Sequence, residues 1–190
     1  MATKITGGTL RGRKLQTPAG ARVRPTTSRV RESLFSILGH HLGGITVLDL
    51  CAGAGTLGIE AASRGASRVV FVEQDRRHAE TLRANAALLE GLAEHHVIQA
   101  DATRVTRILL RDGDRFDLVF LDPPYATDVA ERTLTALGES ADQLLADDAT
   151  IAVETDRASV LPDRLGADWT PSDVRTWGRT KLTLYTKELR

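Results

Sequence analysis

The sequence predicts an α/β fold, a mainly parallel sheet with helices on both faces and a short N-terminal β extension. Three observations predict it. Apolar runs of strand length alternate with amphipathic helical segments along most of the chain. A glycine-rich turn, Cys51-Ala52-Gly53-Ala54-Gly55-Thr56-Leu57-Gly58, leads from the first such run into a helix. A later run, Phe116-Asp117-Leu118-Val119-Phe120-Leu121, ends in Asp122-Pro123-Pro124-Tyr125, whose prolines cannot continue a sheet ladder.

Taken in order, residues 4–15 mix β-formers with glycines and read as short strands about a turn. Pro18, Gly20 and Pro25 keep the next stretch irregular. Thr27 or Ser28 should cap a helix over residues 29–38, with Val30, Leu34, Ile37 and Leu38 as its apolar stripe and Gly39 as its stop. Residues 45–50 should form a central parallel strand. After the glycine turn, a helix over 57–64 closes at Gly65. A second strand, 69–72, ends in Glu73, and a helix over 77–89 carries Ala79, Leu82, Ala86 and Leu89 on one face. A third strand, 96–99, leads to Asp101, and a short helix over 104–110 precedes the strand at 116–121. Asp128 and Glu131 match a capping box for a helix ending at Gly138. A fifth strand is expected at 150–154, then two antiparallel strands near 173–177 and 181–187, joined at Gly178. No internal repeat is present.

A chain of 190 residues with 42% hydrophobic and 26% charged residues suits one globular domain. The expected boundaries are a basic extension, 1–27, and a main domain, 28–190. No apolar run approaches the ~20 residues that span a bilayer, and no apolar leader follows Met1, so a cytoplasmic protein with no membrane partner is expected. The lone Cys51 can form no internal disulfide and no thiolate cluster, and no metal is expected. The net charge of zero conceals an asymmetry. Lys4, Arg11, Arg13, Lys14, Arg22, Arg24, Arg29 and Arg31 fall in the first 31 residues with no acid among them. Such an arm favours a polyanion, through phosphate contacts and counterion release.

The strand end at Asp122 should face the crevice where open α/β sheets bind ligands. It offers a carboxylate, proline-flanked carbonyls and one aromatic ring. Carboxylates and carbonyls accept hydrogen bonds, an exocyclic amine on a nucleobase donates them, and the ring can stack on the base. Gly53, Gly55 and Gly58 fit G-x-G-x-x-G, and Glu73 lies 20 residues beyond Gly53, a pattern shared with dinucleotide-binding folds. Asp49, four residues before Gly53, would oppose a diphosphate but attract a cationic cofactor such as S-adenosylmethionine. Asp101, at a third strand end, can accept from an adenine amine, or serve as a helix cap. A nicotinamide-dependent oxidoreductase would need a hydride-transfer site. No Tyr-x-x-x-Lys pair is present, and none of His40, His41, His78, His95 and His96 stands out as catalytic.

Val47-Leu48-Asp49-Leu50-Cys51-Ala52-Gly53-Ala54-Gly55, Phe71-Val72-Glu73 and Asp122-Pro123-Pro124-Tyr125, in this order, resemble class I S-adenosylmethionine-dependent methyltransferases that modify exocyclic nitrogens. Ile5-Thr6-Gly7-Gly8, Gly12-Arg13, and the string Arg24-Pro25-Thr26-Thr27-Ser28-Arg29-Val30-Arg31-Glu32-Ser33-Leu34-Phe35 are more specific. They resemble the bacterial 16S ribosomal RNA guanine-N2 methyltransferase family, and the likeness runs from Lys4 to about Tyr185, including Trp177-Gly178. Ser28 departs from the acid usual there.

The resemblance implies a Rossmann-like, seven-stranded sheet whose last strand is antiparallel, and methyl transfer to the N2 of a guanine in 16S ribosomal RNA. It implies Asp49, Cys51, Gly53, Gly55, Thr56, Glu73, Asp101 and Ala102 at the cofactor and Asp122, Pro123, Pro124 and Tyr125 at the target amine. The eight basic residues would contact 16S ribosomal RNA or a partly assembled 30S subunit; apart from the resemblance, a monomer is expected. An N6-adenine methyltransferase acting on DNA or RNA stays open, because adenine too presents an exocyclic amine.

Overall fold

A parallel strand covered on both faces needs apolar side chains at successive positions, and β1 (Thr46–Leu50) and β2 (Arg68–Glu73) meet that demand. Val47, Leu48, Leu50 and the whole run Val69 to Val72 are fully buried. A computed structural model describes residues 3–18, 28–125 and 127–188. Two compact units divide the chain, Met1–Gln99 and Ala100–Arg190. The expected boundary at 27/28 touches residues outside those described.

In the first unit, α1 (Ser28–Ile37) is followed by β1, α2 (Thr56–Ser63), β2, α3 (Arg76–Ala86), a 3-10 turn (Ala87–Leu89) and β3 (Glu94–Gln99). The strands run parallel in the order β3-β2-β1. Their register pairs Thr46 with Arg68 and Arg68 with Glu94. Ahead of α1, residues 3–18 fold back on themselves through a single antiparallel bridge, Lys4 to Lys14, rather than the strands expected. Ile5 N–H bonds to the Arg13 carbonyl at 3.0 Å, and Ile5 and Leu15 bury their side chains.

The second unit holds a 3-10 turn (Ala102–Arg104), α4 (Thr106–Asp112), β4 (Phe116–Leu121), α5 (Val129–Glu139), α6 (Ala141–Leu144), β5 (Leu145–Asp156), β6 (Trp169–Trp177) and β7 (Thr180–Lys187). Its strands are ordered β4-β5-β7-β6, with β4 and β5 parallel and β7 antiparallel to both neighbours. Gly178 turns the β6/β7 hairpin at φ 58, in the left-handed region that glycine tolerates. Pro171 sits on the outermost strand, where a missing N–H costs no ladder bond. Seven strands in a mixed sheet match the expected class, antiparallel finish included.

Three local expectations are corrected. Asp128 occupies the cap position of α5 but makes no side-chain cap; it pairs instead with Arg132 at 3.6 Å. The helix passes through Gly138 to Glu139. β5 starts five residues earlier than expected, at Leu145, because exposed Asp147 and Asp148 hide its alternation.

Candidate active site

The turn after β1 is shaped by its backbone. Cys51 is the one non-glycine residue with positive φ (60°) among those described. That conformation costs a residue with a Cβ roughly 1–2 kcal/mol, and such strain gathers at ligand sites. Gly53 (φ 56) and Gly55 (φ 80) share the conformation for different reasons. A Cβ on Gly55 would lie 2.4 Å from Leu82 Cδ1, and one on Gly58 2.4 Å from Phe71 Cε1, so these two glycines let α2 seat closely. A Cβ on Gly53 would meet nothing within 4 Å, so the space beside it is open to a ligand. Gly55 caps α2, and Thr56, half-buried, is its first residue.

Two carboxylates hold this turn. Glu73, ending β2, accepts from Gly53 N–H and from Asp75 N–H, one per oxygen and each at 2.8 Å. Asp49 Oδ2 accepts from Gly58 N–H at 2.9 Å. Asp49 is 1% exposed. Burial pushes its carboxyl up to about 7; the Gly58 amide pulls it back, and the charge of Glu73 adds to the rise. Asp49 therefore stands beneath the turn as a buried acceptor that sets its shape.

In the second unit, Asp101 Oδ1 accepts from Thr103 N–H at 2.9 Å and Thr103 Oγ1 at 2.8 Å, capping the 3-10 turn that starts at buried Ala102. The Thr103 amide holds its carboxyl below the usual range. Asp122 follows β4 directly and is half-buried. Pro123 is buried, and the Pro124 carbonyl accepts from Thr127 Oγ1 at 2.8 Å. The Tyr125 hydroxyl donates to Glu154 Oε1 at 3.1 Å and shares a 3.0 Å bond with Thr180 Oγ1. Burial and the charge of Glu154 push the phenol up to about 12 against the pull of Thr180, so it remains a neutral donor. A cavity of about 140 Å³ opens beside this tip, between Pro123 to Tyr125, the acids Asp128, Glu131 and Asp156, and the loop at Ser159 to Leu161.

Of the basic residues, Lys4, Arg11, Arg13, Lys14 and Arg29 are exposed, as a phosphate contact requires. Arg22 and Arg24 lie outside the described residues. Arg31 is a correction. It is 2% exposed, pairs with Glu60 at 2.8 Å and donates to the Lys4 carbonyl at 2.6 Å. Glu60 also pairs with Arg64 at 2.7 Å and accepts from Thr6, so Arg31 is an internal brace under the arm. Glu60, Asn85, Glu154 and Thr180 carry no motif; the one signal for the first two is a polar residue inside an apolar helical stripe.

The seven strands, the glycine turn closed by Glu73 and the Asp-Pro-Pro-Tyr strand end together define a methyltransferase of the class I fold. Along residues 3–186 the chain matches, and belongs to, the family described as Conserved hypothetical protein 95. Ribosomal RNA small subunit methyltransferase D of Escherichia coli K12 is 36% identical over 185 residues, 97% of this chain and 90% of that protein. The protein of the same name from Haemophilus influenzae is 34% identical over 184 residues, 96% and 92% of the two chains. Among solved structures, yhhF of Escherichia coli, provisionally assigned as a methyltransferase, superposes with a TM-score of 0.81 at 34% identity, covering 100% of both chains. A Thermus thermophilus protein gives 0.77 at 30% identity, covering 98% and 99%. Among the described residues, no helix is long and apolar enough to cross a membrane.

Proposed function

We propose that the chain transfers a methyl group from S-adenosylmethionine to the exocyclic N2 of a guanine in 16S ribosomal RNA. The observation that carries this reading is the strand end Asp122-Pro123-Pro124-Tyr125, with its tyrosine tethered at the hydroxyl by Glu154 and Thr180. The names of the Escherichia coli and Haemophilus influenzae relatives support ribosomal RNA of the small subunit as the acceptor. The resemblance of the N-terminal string from Arg24 to Phe35 to the guanine-N2 methyltransferase family supports guanine over adenine.

The glycine turn suits the donor, because the space beside Gly53 is open and the two oxygens of Glu73 can accept from ribose hydroxyls. Cys51, Gly53, Gly55, Thr56 and Glu73 would hold it, with Asp101 and Ala102 at the adenine and Asp49 fixing the turn. When bound, S-adenosylmethionine supplies an electrophilic methyl group whose leaving group departs neutral, so no acid is required of the protein.

An amine conjugated to a purine is a poor nucleophile because its lone pair is delocalised into the ring. The Asp122 carboxylate and the Pro123 carbonyl accept its two protons, which favours a pyramidal nitrogen with an available lone pair, and Asp122 can take up the proton released. Orientation of this kind lowers barriers by up to roughly 7–11 kcal/mol. Tyr125 stacks on the base, worth on the order of 1–3 kcal/mol, and its tethered hydroxyl fixes the ring plane. The target base must be unpaired or flipped to reach such a site. Lys4, Arg11, Arg13, Lys14 and Arg29 hold the surrounding phosphates. The enzyme acts as a monomer in the cytoplasm, on free 16S ribosomal RNA or a partly assembled 30S subunit.

The test is methyl transfer from labelled S-adenosylmethionine to small-subunit RNA and particles, followed by nucleoside identification. N2-methylguanosine is the expected product; N6-methyladenosine or no transfer contradicts the reading. Replacing Arg11, Arg13 and Lys14 with Ala should weaken RNA binding and flatten its salt dependence, by up to about one unit of slope for each phosphate no longer held. An unchanged slope would make the arm a solvated surface.

A further inference from the structure

Asn85 lies in the last turn of α3 and is 2% exposed. Its amide is fully engaged. Oδ1 accepts from Gln16 N–H at 2.9 Å, while Nδ2 donates to the Gln16 carbonyl at 3.0 Å and to the Ala54 carbonyl at 2.9 Å. The first two bonds close a ring with the backbone of Gln16, as a neighbouring strand would, and the third ends on the residue between Gly53 and Gly55. Gln16 belongs to the basic arm and Ala54 to the glycine turn, so one buried side chain joins them.

The arm's remaining anchors point the same way. Thr9 N–H bonds to the Ser63 carbonyl at 2.7 Å, Leu10 N–H to Ser63 Oγ at 2.8 Å, and Thr6 N–H to Glu60 Oε2 at 3.2 Å. Ser63 and Glu60 both lie on α2, the helix that the glycine turn opens. A buried amide that loses one partner keeps an unsatisfied polar group, so a displacement of the arm at Gln16 and one of the turn at Ala54 are not independent.

We propose that Asn85 is a positioning residue that couples the arm to the glycine turn, so that RNA held by the arm tightens cofactor binding and the cofactor tightens RNA binding by the same factor. The inference rests on the function proposed above, RNA at the arm and S-adenosylmethionine at the turn.

S-Adenosylhomocysteine, which has no methyl group to transfer, is titrated calorimetrically into the full chain, alone and with saturating small-subunit ribosomal RNA. The wild type should bind it about five-fold or more tightly with RNA present, the lower end of ordinary coupling. In Asn85→Ala that ratio should fall to about one. Gln16→Pro removes the arm's N–H while leaving Asn85 and Ala54 in place, and should collapse the ratio too; it decides the matter if Asn85→Ala fails to fold. A wild-type ratio of one, or a ratio kept in a folded Asn85→Ala or in Gln16→Pro, overturns the coupling, and separate binding of both ligands then leaves the proposed function standing. Failure of the wild type to bind either ligand overturns the function and the coupling together.

Discussion

The glycine turn and the Asp-Pro-Pro-Tyr strand end are held in opposite ways. Buried carboxylates grip the backbone amides of the turn from beneath, Asp49 on Gly58 and Glu73 on Gly53. The strand end is stiffened by proline rings, and its one large side chain is tethered at its far tip, through the Tyr125 hydroxyl. The turn is thus a cradle whose shape depends on backbone freedom and on a proton, whereas the strand end aims a side chain. Changes to Cβ atoms and to pH should act on the first, and loss of a single hydroxyl on the second.

Gly55→Ala should show the largest stability effect. It combines a left-handed φ with a Cβ 2.4 Å from Leu82 Cδ1, and the two penalties together come to about 2–5 kcal/mol. Thermal unfolding would register a drop of roughly 10 °C, and an unshifted midpoint would show that α2 can reseat. The protonation of Asp49 follows. Its carboxyl titrates at about 7 in the fold against 3.8 when exposed, so the folded chain holds the proton more tightly. The stability this contributes is complete below about pH 4 and is lost as pH rises through about 7, some 2–3 kcal/mol between pH 5 and 8. Denaturant midpoints over that range should fall in the wild type and stay flatter in Asp49→Asn; parallel curves would contradict the account. Gly53→Ala pays the φ penalty alone, about 1–2 kcal/mol, yet should weaken S-adenosylmethionine binding more than Gly55→Ala does in protein that remains folded. Equal losses would mean that Gly53 has no ligand-facing role. Tyr125→Phe is the mildest, about 1 kcal/mol of stability, with kcat/KM for RNA lowered several-fold and cofactor affinity unchanged. A loss of cofactor affinity there would show that the tether serves more than the strand end.

The alternation of strands and helices was legible because buried parallel strands require apolar runs, and 118–121 and 69–72 supply them without a break. The glycine turn and the strand end were legible because proline and glycine declare their backbone needs locally. Long-range partners were not. Arg31 reads as one more cation in a basic arm, and only the fold brings Glu60 of α2 to it. The Asp128 and Glu131 pair has the spacing of a capping box, but Arg132 competes for the aspartate, and a spacing rule carries no information on that contest. The division of labour among Gly53, Gly55 and Gly58 also depends on neighbours, Leu82 and Phe71, that the motif does not contain.

The central claim is that the Asp122 carboxylate accepts a hydrogen bond from the target amine and takes up the one proton released on methyl transfer. Single-turnover methyl transfer to small-subunit ribosomal RNA, measured for Asp122→Ala beside calorimetric binding of S-adenosylmethionine, tests it directly. Transfer slowed by about 10²–10⁴-fold, as expected for loss of an essential proton acceptor, with cofactor affinity retained, is the predicted result. Near-normal transfer by Asp122→Ala would contradict the account.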